Sequence, residues 1–408
     1  MKDRAKRVIA ACRHIATMSE EPGRITRRFL TPPVCEVHAY LRLEMEALGM
    51  AVYADAAGNL RGLWKPASAG QRRLIIGSHI DTVPDAGAFD GILGVTMALE
   101  WVRLAGEIAF PVPIEVIAFS EEEGVRFGVP FIGSRAVAGR FDPSLLALKD
   151  GEGISLAEAI RRFGLDPAKI PKAEVNQEGA AFVEIHIEQG PVLETEHLSV
   201  GVVTGIVGQT RLSLEFSGHA NHAGTTPMHL RRDALAAAAE WIVFVEAFAR
   251  GTDGLVATVG KWALEPNASN VIPGKARVSL DVRHAHDSQR NSAVEELIAK
   301  ARAIAERRSL AFDCTPLMNE PAVSMDERLT AYLAAAVEAA DLPLKEMPSG
   351  AGHDAMVMAT RMPTAMLFLR SPGGISHHPD ETVTEEDVEA ALQVGRKFLE
   401  RLASDWQA

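Results

Sequence analysis

The stretch GSHIDTVPDAGAFDG, residues 77–91, combines one histidine and three aspartates with three glycines and two alanines and contains no lysine or arginine. Carboxylates buried together without a cation would repel one another and lose hydration. Imidazole and carboxylate are also the ligands that zinc, cobalt, nickel and manganese accept. The stretch therefore indicates a metal site in which His79 and Asp90 are candidate ligands. Asp81 is spaced to accept a hydrogen bond from the second ring nitrogen of His79.

Three later segments carry the same kinds of side chain directly after or within apolar runs. These side chains are Glu121, Glu122 and Glu123 after IEVIAFS, His186 within EIHIEQG, and His377 and His378 after TAMLFLR. Each segment alone has an ordinary explanation. A lone histidine after a strand is often a core or surface residue, SEEEG suits the start of a helix, and His377 with His378 suits a polar loop. Together they predict a centre for two divalent metals, since a carboxylate such as Asp90 can bridge two cations. One of the consecutive glutamates can then bind metal while a neighbour serves as general base.

Composition limits the other possibilities. The 408 residues are 47% hydrophobic, which predicts two or three domains, or one domain interrupted by another. The 42 basic and 54 acidic residues give a net charge of −12, which argues against nucleic acid or an anionic membrane as partner. Three scattered cysteines support neither a disulfide framework nor a cysteine-based zinc site. Because no segment approaches the roughly 20 apolar residues that span a bilayer, we expect a cytoplasmic protein.

The apolar runs that begin at Leu74, Ile114, Phe182 and Thr364 are typical of buried strands, and helical patterns lie between them. This alternation predicts an α/β fold with a mostly parallel sheet covered by helices on both faces. The carboxyl ends of parallel strands meet at one edge of the sheet. Side chains some 300 residues apart in sequence can therefore converge there.

Residues 208–323 follow a different pattern, with the order strand, helix, strand, strand, helix, strand. This order is that of a ferredoxin-like α+β sandwich. We expect its second strand to be GLVATVGKWALE and its second helix to open with a capping box from Ser292 to Glu295. The predicted organisation is a catalytic domain formed by 1–207 and 324–408 that is interrupted by the domain 208–323.

Motifs of several other enzyme classes are missing from the sequence. It contains no G-x-S-x-G, no G-x-x-x-x-G-K-[ST] and no G-x-G-x-x-G motif. Serine hydrolases, nucleoside triphosphatases and dinucleotide-dependent oxidoreductases are thereby disfavoured.

Five segments resemble, in order and over nearly the whole chain, the dinuclear metallo-amidohydrolases that include N-carbamoyl-L-amino acid hydrolase, allantoate amidohydrolase and β-ureidopropionase. The segments are GSHIDTVPDAGAFDGILGV, EEEGVRFG, EIHIEQGPVLE, NHAGTTPM, and GAGHDA followed by GISHHPDE. The resemblance implies a catalytic domain like that of the metallo-exopeptidases, with the inserted domain as a lid that also forms a homodimer. It further implies one metal held by His79, Asp90 and His186, and a second held by Asp90, Glu123 and His377. The metals are zinc, manganese, cobalt or nickel, without a choice among them.

In that resemblance Glu122 is the general base and Asp81 supports His79. His222 in NHAGTTPM corresponds to the residue that stabilises the oxyanion across the dimer interface. The residues expected to contact substrate are Gln189, Gln209, Asn270, Arg283 and Gly352. Among them Arg283 would bind a carboxylate, a task that suits the guanidinium fork. Thr210, followed by Arg211, stands where allantoate enzymes carry arginine, so the resemblance does not choose between allantoate and a carbamoyl amino acid.

The implied reaction is hydrolysis of the linear ureido or carbamoyl C–N bond of a small carboxylate, with release of ammonia and carbon dioxide. His186 within HIEQGP favours this branch, since the related peptidases usually carry an acid at that position. An aminoacylase or dipeptidase on the same scaffold is the alternative, and a binding protein without turnover is a second one.

Overall fold

The computed structural model describes residues 1–66, 72–176 and 179–406. The chain forms two compact units. The first consists of Met1–Thr204 with Ser324–Ala408, and the second, the inserted unit, consists of Gly205–Val323.

The helices and strands are numbered in chain order. In the described residues the α-helices are α1 (Lys2–Ala16), α2 (Pro32–Ala47), α3 (Ile92–Glu107), α4 (Ile132–Val137), α5 (Leu156–Arg162), α6 (Val192–Thr195), α7 (Ala234–Arg250), α8 (Asp287–Arg307), α9 (Glu327–Ala339), α10 (Asp354–Met358) and α11 (Glu385–Trp406). The strands are β1 (Ala51–Ala54), β2 (Leu60–Trp64), β3 (Arg73–His79), β4 (Ile114–Phe119), β5 (Ala180–Ile187), β6 (Val200–Ile206), β7 (Gly208–Ser217), β8 (Asn221–His222), β9 (Val256–Thr258), β10 (Trp262–Glu265), β11 (Val271–Ile272), β12 (Lys275–His284), β13 (Ala311–Glu320), β14 (Val323–Ser324), β15 (Glu346–Ser349) and β16 (Thr364–Leu369).

The first unit has the expected α/β class, but its sheet is mixed rather than mostly parallel. In the described residues, the nine strands of this sheet run in the order β1-β2-β4-β3-β5-β16-β6-β14, and β15 also pairs with β6. The central strands β4, β3, β5 and β16 pair in parallel, while β1 pairs antiparallel with β2, β2 with β4 and β6 with β16. One cause is the short link between β1 and β2, because a tight connection can join only antiparallel strands.

The central strands are buried along nearly their whole length, which explains their continuous apolar runs. Helix α3 packs against β3, β4 and β5, and α1 and α11 pack against α3. In the sheet register, His79 pairs with Phe119 and His186 pairs with Phe368. The carboxyl ends of the four parallel strands therefore lie along one edge of the sheet.

In the inserted unit, four antiparallel strands run in the order β10-β12-β7-β13, and β9 also pairs with β12. Along β7 and β12 every second residue is buried. The buried side chains pack with those of α7 and α8, including Trp241 and Leu297. The other face of the sheet carries mainly polar and charged residues.

Two local predictions for this unit are wrong. Helix α8 begins at Asp287, so Ser292 lies inside the helix and does not cap it. In the first turn of this helix, the side chain of Asp287 contacts Arg290 and accepts the main-chain N–H of Ala322. The segment GLVATVGKWALE forms two strands, β9 and β10, and between them the Ser279 hydroxyl accepts the main-chain N–H of Lys261.

Among the described helices, none combines the length and apolar character needed to cross a lipid bilayer.

Candidate metal centre and active site

The edge formed by the carboxyl ends of the parallel strands collects the histidines and carboxylates singled out in the sequence. His79 ends β3, His186 lies near the end of β5, and Glu121 is the second residue after the end of β4. His377 lies in the loop after β16. The side chains of His79, Asp90, Glu122 and His186 are buried, whereas His377 is exposed.

Asp90 lies between two groups of potential metal ligands. Its Oδ1 is 3.6 Å from His79 Nε2 and 3.3 Å from His186 Nε2. Its Oδ2 is 3.2 Å from His377 Nε2, which in turn lies 3.5 Å from Glu123 Oε1. Four groups of side chains in the described residues could each hold an ion, and two of them share Asp90: His79, Asp90 and His186, and Asp90, Glu123 and His377. These are the two sets that the resemblance implies, and Asp90 offers a different oxygen to each. The other two groups are Glu184, His186 and His353, and His79, Glu122 and Glu123.

The hydrogen bonds of the imidazoles fix which ring nitrogen is free to bind metal. His79 Nδ1 lies 3.0 Å from the main-chain oxygen of Asp81, and His186 Nδ1 lies 2.9 Å from that of Ile187. Because a carbonyl oxygen only accepts, Nδ1 carries the proton in both rings and Nε2 is left with its lone pair. The two Nε2 atoms lie 3.3 Å apart beside Asp90. Such a convergence of lone pairs and carboxylate suits a divalent cation.

Two buried carboxylate oxygens give independent support for this fit. In the described part of the chain, Asp90 Oδ2 and Glu123 Oε1 are buried and make no hydrogen bond. A buried oxygen without a donor is costly, and an ion held between His377, Asp90 and Glu123 would satisfy both. The donor set therefore fits a pair of divalent metals.

Asp81 acts on the glutamate segment as well as on His79. Its two carboxylate oxygens accept the main-chain N–H groups of Glu122 and Glu123, each at 3.0 Å. The expected bond between the Asp81 carboxylate and His79 is replaced by the bond to the Asp81 main-chain oxygen, because Asp81 Oδ1 is 3.8 Å from His79 Nδ1. Asp81 thus links the turn after β3 to the turn after β4.

The three consecutive glutamates have different surroundings. Glu121 Oε1 accepts the N–H groups of Arg126 and Phe127, at 3.0 and 3.4 Å. Glu123 contacts His377, and Glu122 lies with Glu123 beside His79. Burial raises the pKa of Glu121 to about 8 and that of Glu123 to about 7. Burial also raises the pKa of Glu122 well above its usual range, although the neighbouring His79 opposes the rise.

The contacts between Asp90 and the histidines favour the ionised form of the Asp90 carboxylate and the protonated form of His377. Burial raises the pKa of Asp90, but its contacts with His186, His377 and His79 outweigh burial and hold the pKa well below its usual range. The contact with Asp90 raises the pKa of His377 to about 9. The site therefore keeps Asp90 ionised and able to bind cations.

Gln189 and Gly352, both predicted to contact substrate, lie in the first unit. Gln189 Nε2 donates to Asp90 Oδ1 at 3.1 Å and lies 3.3 Å from His377 Nε2. Gln189 thus touches both ligand groups. Gly352 lies against Phe131, since a Cβ atom on residue 352 would be 3.1 Å from Phe131 Cζ.

The inserted unit holds the remaining predicted residues. His222 Nδ1 accepts the N–H groups of Gly224 and Thr225, at 3.0 and 3.2 Å, so its exposed Nε2 carries the proton and can donate. Asn270 accepts the N–H of Ala223 through its main-chain oxygen. Its exposed side chain lies just before β11.

Gln209 and Arg283 meet at the carboxylate of Asp281, in adjacent strands. Arg283 Nε donates to Asp281 Oδ1 at 2.9 Å, and Gln209 Nε2 donates to Oδ2 at 2.5 Å. Arg211 joins them with a bond of 2.8 Å. Thr210 faces the opposite, buried side of β7, where its hydroxyl bonds to Asn319. Thr210, at the position where allantoate enzymes carry arginine, thus points away from Arg283. The following residue, Arg211, lies on the same face of the sheet as Arg283.

Three buried residues near the metal ligands were missed in the sequence. Glu184 accepts bonds from Ser78 Oγ and the N–H of Ala355, at 3.1 and 2.7 Å. The His353 ring packs edge-on against His186, with 4.5 Å between centroids. Glu381 accepts the N–H of Asp90 at 2.9 Å. Strand alternation could have revealed Glu184, which is two residues before His186. Glu381 ends the segment GISHHPDE, but no periodicity marks Glu381 or His353 as a neighbour of the candidate ligands.

Residues 75–401 match the family described as peptidase family M20/M25/M40. The chain belongs to this family. The match confirms the family resemblance that the motifs indicated, and the α/β class agrees with it.

Individual relatives of this M20-family chain carry amidohydrolase names. The N-carbamoyl-L-amino acid amidohydrolase of Geobacillus stearothermophilus is 40% identical over 376 residues, covering 91% of this chain and 92% of the relative. The allantoate deiminase of Arabidopsis thaliana is 37% identical, covering 96% of this chain and 81% of the relative. A solved amidase of the hydantoinase/carbamoylase family from Burkholderia multivorans has a TM-score of 0.91 at 32% identity, with 97% of each chain covered.

Proposed function

We propose that this protein is a metal-dependent amidohydrolase that cleaves the linear ureido or carbamoyl C–N bond of a small carboxylate. The products are ammonia, carbon dioxide and the amine that carried the carbamoyl group. One observation carries the proposal: Asp90 offers one oxygen to His79 and His186 and the other to His377. The names and high coverage of the relatives favour ureido and carbamoyl substrates over peptides.

The proposal assigns one divalent metal to His79, Asp90 and His186, and a second to Asp90, Glu123 and His377. When bound, the two metals would supply Lewis-acid chemistry that polarises the substrate carbonyl and activates water. Zinc, manganese, cobalt and nickel all accept these ligands. Metal loading is therefore a variable of the first experiment.

Glu122 is the proposed general base. It is buried beside His79 and Glu123, and its main-chain N–H is held by Asp81. A divalent cation held by each of the two ligand groups would lower the raised pKa of Glu122 toward the pH at which the enzyme works. A general base is most effective when its pKa lies near that pH. Glu122 would take a proton from water and pass it to the leaving nitrogen.

The inserted unit is proposed to be a ferredoxin-like lid that also forms a homodimer. Its strand order and its two helices on one face of the sheet support this assignment. His222 would donate from Nε2 to the developing oxyanion across the dimer interface. Arg283 would bind the substrate carboxylate, with Gln209, Asn270, Gln189 and Gly352 as further contacts.

The experiment is ammonia release by purified protein loaded with manganese or zinc. The panel contains allantoate, N-carbamoyl-L-amino acids and N-carbamoyl-β-alanine, and cleavage of N-acetyl-amino acids is followed in parallel. Metal-dependent ammonia from a ureido compound supports the proposal and identifies the substrate. Rapid deacylation without activity on any ureido compound would contradict it and point to an aminoacylase.

A further inference from the structure

Glu381 occupies a position between the two segments that carry Asp90 and His377. Its Oε1 accepts two main-chain N–H groups, that of Phe89 at 3.0 Å and that of Asp90 at 2.9 Å. Its Oε2 accepts the hydroxyl of Ser376, at 3.1 Å, directly before His377. One buried carboxylate thus joins the turn before α3 to the loop after β16.

The turn before α3 is shaped to receive this side chain. A Cβ atom on residue 87 would lie 2.3 Å from Glu381 Cβ and 2.4 Å from its Oε1. Because Gly87 has no side chain, Glu381 can lie flat against the turn and reach both N–H groups. Residue 87 is therefore a second, independent determinant of the same contact.

His377 depends on such an anchor more than the other ligands do. His79 and His186 belong to buried central strands, whereas the side chain of His377 is 48% exposed on a loop. Its backbone has a φ of 54°, in the left-handed region that ordinary side chains disfavour. The distance from Asp90 Oδ2 to His377 Nε2 is set by two loops, and Glu381 is bonded to both.

We propose that Glu381 is a positioning residue that fixes Asp90 and His377 at the spacing needed to hold the second metal, and that Gly87 makes room for it. The inference rests on the dinuclear centre of the proposed function. Residues that orient metal ligands typically contribute 10- to 100-fold to metal affinity. Loss of Glu381 is expected to weaken both metals, because both use Asp90, and to weaken the metal at Asp90, Glu123 and His377 more, because strands still hold His79 and His186.

The test is equilibrium dialysis of the full-length protein against buffered free Mn²⁺ or Zn²⁺, with bound metal measured by mass spectrometry. Glu381→Ala and Gly87→Ala are expected to weaken the second equivalent at least about 10-fold and the first much less. Glu381→Gln, which keeps one acceptor oxygen, is expected to lie between Glu381→Ala and the parent.

Asp55→Asn is the matched control. Asp55 is also a buried carboxylate that accepts two main-chain N–H groups, those of Ala57 and Asn59, and a side-chain donor, Asn59 Nδ2. It contacts none of the proposed ligands, so its variant should bind both equivalents like the parent even where its thermal stability falls.

Two results would overturn the inference: two equivalents bound by Glu381→Ala with parental affinity, or equal weakening in Glu381→Ala and Asp55→Asn. Metal is measured without substrate, so the outcome is separate from the proposed activity. A parent that binds two metals but releases no ammonia would refute only the proposed substrate class.

Discussion

Gly91 lies against the imidazole of His79 so closely that a Cβ atom on residue 91 would come within 2.5 Å of His79 Cε1. Gly91 also has a φ of 66°, in the left-handed region. The residue directly follows Asp90 and precedes α3. Two independent requirements, a backbone conformation and a close contact, therefore restrict residue 91 to glycine.

Gly91→Ala is expected to displace His79 and weaken the metal shared by His79, Asp90 and His186. The left-handed conformation alone costs about 1–2 kcal/mol for a residue with a Cβ atom, and the contact with the ring adds to it. Thermal unfolding and metal content measure the two effects.

Gly106→Ala in α3 is the control: no other side chain or neighbouring element lies within 4 Å of its Cβ position, and alanine should raise stability by about 0.5–1 kcal/mol. Parental metal content in Gly91→Ala would contradict the prediction.

Glu122→Gln is expected to lower kcat by about 10²- to 10⁴-fold, because general-base catalysis contributes that much. KM and metal content should change little, since Glu123 and not Glu122 contacts His377. Steady-state kinetics on the substrate identified by the panel, with metal analysis, tests this. Glu121→Gln is the neighbouring control, because Glu121 Oε1 is turned toward Arg126 and Phe127. Loss of turnover in Glu121→Gln with normal turnover in Glu122→Gln would reverse the assignment of the base.

His38 is expected to make the protein less stable in acid. Burial lowers the pKa of His38 to about 4 from an ordinary 6.5. Because the folded-state pKa is depressed, the stability contributed by the neutral ring is complete above pH 6.5 and is lost as the pH falls toward 4. At 1.36 kcal/mol per pKa unit the loss approaches about 3 kcal/mol. The free energy of unfolding of the parent and of His38→Leu is measured with denaturant between pH 7 and 4. The advantage of the parent over the variant should narrow or change sign as the pH falls. A difference in free energy that stays constant over this range would refute the lowered pKa.

Arg283→Lys is expected to raise KM about 10-fold for a carboxylate substrate with a smaller change in kcat. Lysine carries the charge but not the planar fork that binds a carboxylate through two bonds. Arg277→Lys is the matched control, because Arg277 lies on the same face of β12 and pairs with Glu215. Equal effects of the two substitutions on KM would show that residue 283 acts only through the general charge of the sheet.

The candidate metal ligands could be singled out in the sequence because most of them lie at, near or after the carboxyl end of a buried strand. Such strands are continuous apolar runs, and a charged residue at the end of one is conspicuous. Parallel pairing of β3, β4, β5 and β16 then brings the ends together. The antiparallel pairing of β1, β2 and β6 was missed because an apolar run indicates that a strand is buried but not in which direction its neighbour runs.

Glu381 and His353 could not be predicted, for a different reason. Glu381 binds main-chain N–H groups 291 and 292 residues away, and a main-chain donor leaves no trace in the sequence. His353 acts through packing on His186, and its neighbours are fixed only by the folded chain. The start of α8 was missed because Asp287 pairs with Ala322, which is distant in sequence.

The position of β16 has a consequence for biosynthesis. Strand β5 pairs with β3 on one side and β16 on the other, and the ribosome makes β16 only after the whole inserted unit. Until residues 364–369 emerge, one edge of β5 has no partner strand, and an unpaired apolar edge is prone to aggregate. His377 is translated later still, so the candidate metal centre cannot be complete until both β16 and His377 have left the ribosome.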